Sequence, residues 1–416
     1  MKIIDGVNLN AIPTQKFKDI GISIRFQNEL KDETAAARSL LALMLCDRCK
    51  VYDTKEKMTK KQDELYGAVL GTQTLGYGKS HVIEFRCKVI HPSYVTNEDS
   101  YLKNVFSFLK EIIFHPLLNE EVFEESKKVL ISKSKRMIDD PSQLVISEGL
   151  KAAGTNTPLG ISSLGELKHI EKLCLQDVQN AYTSMLNEDC IQVLVCGDVL
   201  EKEIFSYVKN FPFKERSQKF ASYYVVSNDD EKQKKYMYKN ISQSYLMMVW
   251  FTNISLLDTK YYALRLANAV LGQYSSSLLF QEVREKRSLC YTIYSNIISY
   301  DGVLGVTTGI EKEHIDEVIE LIREQIDVIC QGDFSDELLE ISRKMIINSI
   351  KSGRDNMNTL MAQEYQNILL NREWDTKIMI EHISKVTKED VCEVMQLCKE
   401  KMVFVLTKED SDEKDC

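Results

Sequence analysis

The opening of the chain changes from a two-residue to a helical hydrophobic period. Residues 19–27 alternate between apolar and polar side chains, which predicts a strand, and 7–12 predict an earlier one. From 33 to 45 the apolar residues recur at helical spacing. The first segment therefore predicts two strands followed by a helix.

The rest of the first half continues this mixture of short alternating and long amphipathic segments. We predict a helix at 57–66, a pair of strands at 68–75 and 80–90 joined by residues 76–79, helices at 98–113, 119–139, 142–153 and 175–186, and a strand at 191–196. Such a series forms an α+β unit that ends by about residue 213.

A polar stretch at 227–235 indicates a linker, and beyond it the same order of elements returns. We predict strands at 245–252, 290–299 and 303–309, helices at 258–271 and 277–286, and long helices after them. Residues 169–178 and 382–391 are identical at five of ten positions, at an offset of 382 − 169 = 213. This favours duplication of one domain, although chance similarity of one helix start is an alternative.

The predicted fold class is therefore α+β, with two tandem homologous domains that each pack an antiparallel-rich sheet against helices. We place the N-terminal domain at 1–215, a linker at 216–240 and the C-terminal domain at 241–408. The acidic tail at 409–416 is expected to be disordered and solvating.

Composition and charge exclude several classes of partner. The chain has 53 Lys and Arg against 62 Asp and Glu, a net charge of −9, which argues against nucleic acid. We find no signal sequence and no apolar stretch of about 18 residues, so we expect neither export nor membrane insertion. The eleven cysteines, several in apolar runs, are typical of a reducing cytoplasm.

The spacing of the histidines argues against an independent zinc peptidase. Zinc hydrolases of the H-E-x-x-H or H-x-x-E-H type place two histidines one helical turn apart. No two of the six histidines here lie that close. Phosphate-loop, nucleophile-elbow and dinucleotide-binding signatures are also missing from the sequence.

Residues 277–291 read S-x-L-F-x-x-x-R-E-x-x-x-L-x-Y, and this segment resembles the insulinase/pitrilysin-like metallopeptidases, or inverzincins. The resemblance covers nearly the whole chain and implies an insulinase/mitochondrial-processing-peptidase-like fold. Residues 158–165 and 196–198 also resemble that family, and residues 13–18 and 63–68 resemble its bacterial YmfF-like branch. Members of that branch are non-catalytic companions of a zinc-bearing relative.

The resemblance also implies which positions have lost the zinc ligands. The family's H-x-x-E-H motif falls on Arg38, Leu41 and Ala42, and its distal glutamate falls near Lys133. All four positions are therefore degenerate, and we expect no metal or other cofactor in this chain. Zinc is expected only in the partner chain.

The remaining family positions imply a role within a two-chain enzyme. Arg284 and Tyr291 match the Arg and Tyr that a non-catalytic chain supplies to its zinc-bearing partner. Without the resemblance, a solvated charged helix face explains Arg284 and an ordinary strand aromatic explains Tyr291. The strand at 68–72 matches the edge strand that binds a peptide in catalytic members, although a simple sheet boundary is the alternative.

These assignments predict a cytoplasmic, non-catalytic subunit that is inactive alone and forms half of a peptide chamber. Its partner is a zinc-bearing insulinase-like paralogue in a heterodimer, or a second copy of itself. Its substrate is a peptide. A purely structural scaffold with no role in proteolysis is the alternative.

Overall fold

The computed structural model describes residues 1–96, 98–226 and 231–409, and its contacts separate two units that each combine one sheet with helices. Unit 1 comprises Met1–Lys135, Ile161–Ser222 and Gly353–Arg372. Unit 2 comprises Arg136–Gly160, Tyr223–Ser352 and Glu373–Cys416. The α+β class with two sheets packed against helices is confirmed.

The predicted strands and helices occur in the predicted order, and the structure adds strands at 2–4, 233–238 and 399–407 and helices at 167–172 and 201–208. The strands are β1 (Lys2–Ile4), β2 (Val7–Pro13), β3 (Asp19–Glu29), β4 (Val69–Tyr77), β5 (Ser80–Ile90), β6 (Cys190–Gly197), β7 (Gln233–Tyr238), β8 (Ser244–Phe251), β9 (Cys290–Ile298), β10 (Val303–Ile310) and β11 (Lys399–Thr407). The helices are α1 (Asp32–Leu45), α2 (Lys55–Glu64), α3 (Glu98–Phe114), α4 (Glu120–Asp139), α5 (Pro141–Ala153), α6 (Leu167–Lys172), α7 (Leu175–Glu188), α8 (Glu201–Val208), α9 (Tyr261–Asn268), α10 (Ile315–Gln331), α11 (Asp336–Gly353), α12 (Met357–Leu369), α13 (Thr376–Lys385) and α14 (Lys388–Leu397).

Unit 1 is built on a six-stranded sheet with the strand order β1-β2-β6-β3-β5-β4. The central strand β3 pairs antiparallel with both β5 and β6, so that Ile24 lies opposite Phe85 on one side and Val193 on the other. These three side chains are buried on one face of the sheet, where helices including α1 and α3 cover them. Strand β4 lies at the edge.

Unit 2 is built on a five-stranded sheet with the order β7-β11-β8-β10-β9. Strand β8 pairs antiparallel with β10 and β11, and Leu246 and Met248 of β8 join the core formed with α9, α10 and α14. Strand β9 lies at one edge of this sheet and β7 at the other. Among the described residues, β7 and β9 therefore each pair with a strand on one side only.

Each unit includes one helix that the sequence order would assign to the other half. Helix α5 belongs to unit 2, where Leu144 and Val145 pack against Met247 and Phe404. Helix α12 belongs to unit 1, where Met361 packs against Leu194 of the sheet. The boundaries predicted at 1–215 and 241–408 describe the repeat in the sequence and stay a prediction.

The predicted linker at 216–240 contains a strand. Strand β7 pairs in parallel with β11, with Tyr238 opposite Thr407. Its lysines and tyrosines are mostly exposed because β7 is an edge strand, so it lacks the apolar alternation expected of a half-buried strand. Residues 227–230 of the linker and 410–416 of the predicted acidic tail lie outside the described residues.

The repeated segment begins the same type of helix in both units. Asp177 accepts a hydrogen bond from the Cys174 backbone N–H and closes a capping box at the start of α7. Asp390 does the same with Thr387 at the start of α14. A cap residue with an acid three positions later is a local signal for a helix start, which explains why both copies share it.

Candidate functional site

The segment 38–42, which we call the motif segment, lies in α1 and is buried against the sheet of unit 1. Leu41 is fully buried and Ala42 is 2% exposed. The backbone carbonyl of Ala42 accepts a hydrogen bond from the Thr72 hydroxyl on β4. Helix α1 is regular here, and its Ala35, Ala36 and Ala37 allow it to pack closely on its neighbours. The motif segment therefore has a packing role.

Arg38 forms a buried ion pair with Asp189. Its Nη2 lies 2.7 Å from Asp189 Oδ2 and its Nη1 lies 3.2 Å from Asp189 Oδ1. Nη2 also donates to the carbonyls of Phe26 and His81, at 3.2 Å and 3.3 Å. Asn28 donates to Asp189 at 2.6 Å. Burial raises the pKa of Asp189, while Arg38 and Asn28 oppose that shift.

His81 lies beside this ion pair and is held neutral. Its Nε2 is 2.8 Å from the Ser163 carbonyl, to which the neutral ring donates. Burial lowers the pKa of His81 to about 3, and the positive charge of Arg38 adds to the effect. The imidazole is therefore uncharged at neutral pH and acts as a structural donor.

The side chains at the degenerate positions do not fit a zinc ion. Zinc in proteins is bound by thiolates, imidazoles and carboxylates. Here a guanidinium and two aliphatic groups occupy 38, 41 and 42, and Lys133 is exposed on α4. Across the described parts of the chain, no group of three or more His, Cys, Asp or Glu side chains could hold a metal ion. We therefore assign no catalytic metal to these positions.

The strand predicted at 68–72 is the start of β4, at the edge of its sheet. Val69 is 65% exposed there, beside a cavity of about 500 Å³ that is also lined by Leu70, Met357 and Met361. The cavity lies in unit 1. A role for this edge in peptide binding stays a prediction.

Arg284 lies in unit 2, in a widened helical turn that we call the Arg-Tyr turn (residues 280–291). Residues Phe280–Glu285 adopt a π-helical turn, in which the Lys286 N–H donates to the Gln281 carbonyl at 3.0 Å. The side chain of Arg284 is 39% exposed, and its Cζ lies 4.4 Å from the centre of the Phe280 ring. Glu285 is 3.8 Å from Nη1. The guanidinium donates no hydrogen bond to any residue that the structure describes.

Tyr291 lies at the start of the edge strand β9 and is 83% exposed. Ile293 opposes Thr308 and Cys290 opposes Ile310, so Tyr291 and Thr292 together oppose the single residue Gly309. Such a bulge changes the direction of the side chains beside it. The hydroxyl of Tyr291 has no hydrogen-bond partner within residues 1–96, 98–226 and 231–409.

Ser288 joins the two halves of the Arg-Tyr turn. Its φ is 56°, in the left-handed region that a non-glycine residue seldom adopts. The Ser288 N–H donates to the Arg284 carbonyl, and the Leu289 N–H donates to the Val283 carbonyl. These bonds end the helical turn and direct the chain into β9. The structure thereby brings Arg284 and Tyr291 to the same end of β9.

The sequence does not identify several residues that contact Arg38 or shape the Arg-Tyr turn. Asp189 and His81 are far from Arg38 in the sequence, at separations of 151 and 43, so no local pattern indicates their contact. Phe280 is four residues before Arg284, and that spacing is a signal for contact on a helix. The left-handed Ser288 has no sequence signal, since glycine or asparagine is usual there.

The chain is similar to several known proteins. A family model described as "Peptidase M16 inactive domain" matches residues 172–346. The chain is 26% identical over 393 residues to "Probable inactive metalloprotease YmfF" of Bacillus subtilis (strain 168), covering 93% of this chain and 92% of that protein. It is 24% identical over 274 residues to "Uncharacterized zinc protease YmxG" of the same strain, covering 65% and 66%.

A solved structure resembles the chain over its full length. The crystal structure of a conserved protein from Enterococcus faecalis V583 matches with a TM-score of 0.95 and 27% identity, covering 99% of each chain. The likeness includes both sheets and the helices packed on them, since the match leaves almost no residue of either chain uncovered. The fold is therefore shared by a solved protein.

Proposed function

The chain belongs to the insulinase-like M16 peptidases, as an inactive homologue in the YmfF-like branch, and we propose that it is the non-catalytic subunit of a two-chain zinc metallopeptidase. In this proposal it contributes Arg284 and Tyr291 to the active site of a zinc-bearing partner. It also forms half of the chamber that holds a peptide substrate.

The observation that carries the proposal is the pair of unused donors in the Arg-Tyr turn. Other arginines, including Arg38, Arg48 and Arg216, donate hydrogen bonds to neighbouring carboxylates or carbonyls. The donors of Arg284 are free within the described residues, and so is the Tyr291 hydroxyl. An exposed aromatic residue and an arginine whose N–H groups donate no hydrogen bond, in one short segment, are typical of a surface that binds a ligand.

The chemistry of the two groups suits the carbonyl of a peptide bond. A guanidinium and a phenol can both donate to a carbonyl oxygen and to the oxyanion that forms when the carbonyl is attacked. A well-placed donor of this kind contributes about 3 to 4 kcal/mol to catalysis. The attacking water needs a separate activating group, which we assign to the partner because the motif segment of this chain is packed into the core.

The relatives support the pairing. One strain of Bacillus subtilis carries both an inactive homologue and a zinc protease that this chain resembles. The proposed partner is therefore a zinc-bearing paralogue, and a homodimer is the alternative. No helix of the described chain is long and apolar enough to cross a membrane. We propose that the complex is cytoplasmic, because several of the eleven cysteines lie in apolar runs, as is typical of a reducing compartment.

Reconstitution tests the proposal. The chain is mixed with a zinc-bearing insulinase-like paralogue from the same organism, and cleavage of a pool of internally quenched peptides is measured. We expect cleavage by the mixture that neither chain shows alone. A mixture no more active than the zinc-bearing chain by itself would favour the scaffold function.

A matched pair of tyrosine variants then tests the site. Tyr291→Phe removes one donor and should lower turnover by about 100-fold or more. Tyr294→Phe changes an exposed tyrosine, 43% exposed, on the same strand. It should leave turnover within about twofold, because the proposal gives its hydroxyl no role. Equal effects of the two variants would contradict the assignment.

A further inference from the structure

We propose that Phe280 is a positioning residue, whose ring holds the Arg284 guanidinium in the orientation in which it donates to substrate. This inference deepens the function proposed above and rests on it. The observation that carries it is the stacking of Arg284 on Phe280, with 4.4 Å between Cζ and the ring centre. That distance is well inside the range of about 6 Å at which a guanidinium and an aromatic face attract.

The ring of Phe280 is not accounted for by core packing. Leu279 and Val283, on either side of it, are fully buried and belong to the hydrophobic core of unit 2. Phe280 is half-buried and lies outside that cluster and outside the hydrophobic side chains packed against it. Among the described residues, its ring contacts the guanidinium of Arg284. The contact of this ring with the guanidinium is therefore separate from the packing of the core.

The widened turn places the two side chains on one face. Positions four apart are neighbours on a helical surface, so Phe280 and Arg284 stack along the turn. The carboxylate of Glu285, whose side chain is 50% exposed, lies 3.8 Å from the guanidinium. An exposed ion pair at that distance is weak and screened by salt. The ring is therefore the stronger constraint on the direction of Arg284.

Stacking has a chemical advantage over an ion pair at this position. An aromatic ring occupies the face of a guanidinium and leaves the N–H groups at its edge available. A carboxylate would instead use those N–H groups, as Asp189 does with Arg38. Phe280 can thus restrict Arg284 without consuming the donors that the substrate requires. Loss of an exposed contact of this type changes the population of the stacked orientation by about two- to fivefold.

A measurement on the full chain alone tests the contact. Arginine side chains are isotopically labelled, and the proton shifts of Arg284 are compared in the wild type, Phe280→Leu and Phe280→Tyr. We expect ring-current shifts in the wild type and in Phe280→Tyr, and their loss in Phe280→Leu. Arg265, which lies 5.6 Å from the Tyr262 ring, is the internal control and should not change. Unchanged Arg284 shifts in Phe280→Leu would overturn the contact, whatever the partner does.

A second measurement on the reconstituted complex tests the positioning role. Phe280→Leu should lower kcat by about two- to fivefold with little change in KM, because the stacked orientation is populated less often. Phe280→Tyr should restore kcat, since a phenol ring offers the same face, and Glu285→Gln should have less effect than Phe280→Leu. Full kcat in a Phe280→Leu complex whose Arg284 shifts are lost would overturn the role. A wild-type complex without activity would overturn the proposed function and this role together, and the labelled-arginine result would still decide the contact.

Discussion

Arg38 and Arg284 show how differently one side chain can be used in the two units. Arg38 is 3% exposed and its guanidinium donates to Asp189 and to two backbone carbonyls. Arg284 is 39% exposed by its side chain, and its donors have no hydrogen-bond partner among the described residues. Burial with the terminal nitrogens bound to a carboxylate and to carbonyls identifies a structural arginine, whereas exposure without hydrogen-bond partners leaves an arginine available to a ligand.

The backbone is regular in the motif segment and irregular in the Arg-Tyr turn. The motif segment lies in a regular helix on the sheet, with Leu41 in the core. The Arg-Tyr turn combines a π-helical turn, a left-handed Ser288 and a bulge at Tyr291. Irregular backbone of this kind is costly and is retained most often where function requires it. The comparison therefore supports the proposal that the motif segment has a structural role and the Arg-Tyr turn a chemical one.

The largest effect is expected from a charge placed in the motif segment. Leu41→Glu restores the acidic residue of the family motif but buries a carboxylate in the core, and it should lower the free energy of unfolding by more than about 4 kcal/mol. Urea denaturation measures the change. Tyr291→Glu, at a position 83% exposed, is the matched substitution in the Arg-Tyr turn and should cost less than about 1 kcal/mol. Stabilisation of Leu41→Glu by added zinc would show that a metal site survives.

Removal of each arginine sharpens the comparison. Arg38→Ala leaves Asp189 buried without its partner and should lower the free energy of unfolding by about 3 to 5 kcal/mol. Arg284→Ala loses an exposed contact with Phe280 and should cost about 1 kcal/mol or less. Denaturation of both variants under one condition gives the difference. Equal losses would mean that Arg284 is also structural.

The pH dependence of stability distinguishes the regions by a smaller amount. His81 has a pKa of about 3 when folded, against about 6.5 when unfolded. Between these values the unfolded chain binds a proton that the folded chain excludes, so stability falls as the pH falls below about 6.5. From pH 7.5 to pH 6.0 the wild type should lose about 0.8 kcal/mol more than His81→Gln. Parallel pH profiles would contradict a buried neutral His81.

Ser288→Gly should give the smallest change. Glycine removes the strain of a left-handed residue but adds backbone entropy to the unfolded chain, so the free energy of unfolding should rise by no more than about 0.5 kcal/mol. Ser107→Gly, in the regular helix α3, gains no such relief and should lower it by about 0.5 kcal/mol. Thermal or urea denaturation compares the two. A loss at Ser288 equal to that at Ser107 would argue against the left-handed conformation.

Much of the fold could be predicted because its signals are local. The pattern of residues 80–90 predicts a strand, which is β5, and the cap residue followed by an acid begins both α7 and α14. The membership of α5 in unit 2 depends on contacts such as that between Leu144 and Met247, which no periodicity encodes. Strand β7 could not be predicted either. It is an exposed edge strand without an apolar face, so its sequence resembles a polar linker.

Some features of the candidate site can likewise be predicted from the sequence, whereas others appear only in the structure. The positions of Arg284 and Tyr291 follow from a contiguous motif, and the structure adds that their donors are free. The ion pair between Arg38 and Asp189 joins residues 151 positions apart, so the sequence alone reads Arg38 only as a missing histidine. The stacking of Arg284 on Phe280 is an intermediate case. The spacing of four residues can be read from the sequence, but that spacing alone does not show that the two side chains are in contact.

The most direct test of the account is the turnover of the reconstituted complex that carries Arg284→Ala, with Arg287→Ala as its control. Arg287 is exposed three positions away and lies 4.0 Å from Glu317. With assembly of each complex verified, Arg284→Ala should lower kcat by about 100- to 1,000-fold, while Arg287→Ala stays within about twofold of the wild type. Wild-type turnover by the Arg284→Ala complex would contradict the claim that the Arg-Tyr turn supplies chemistry.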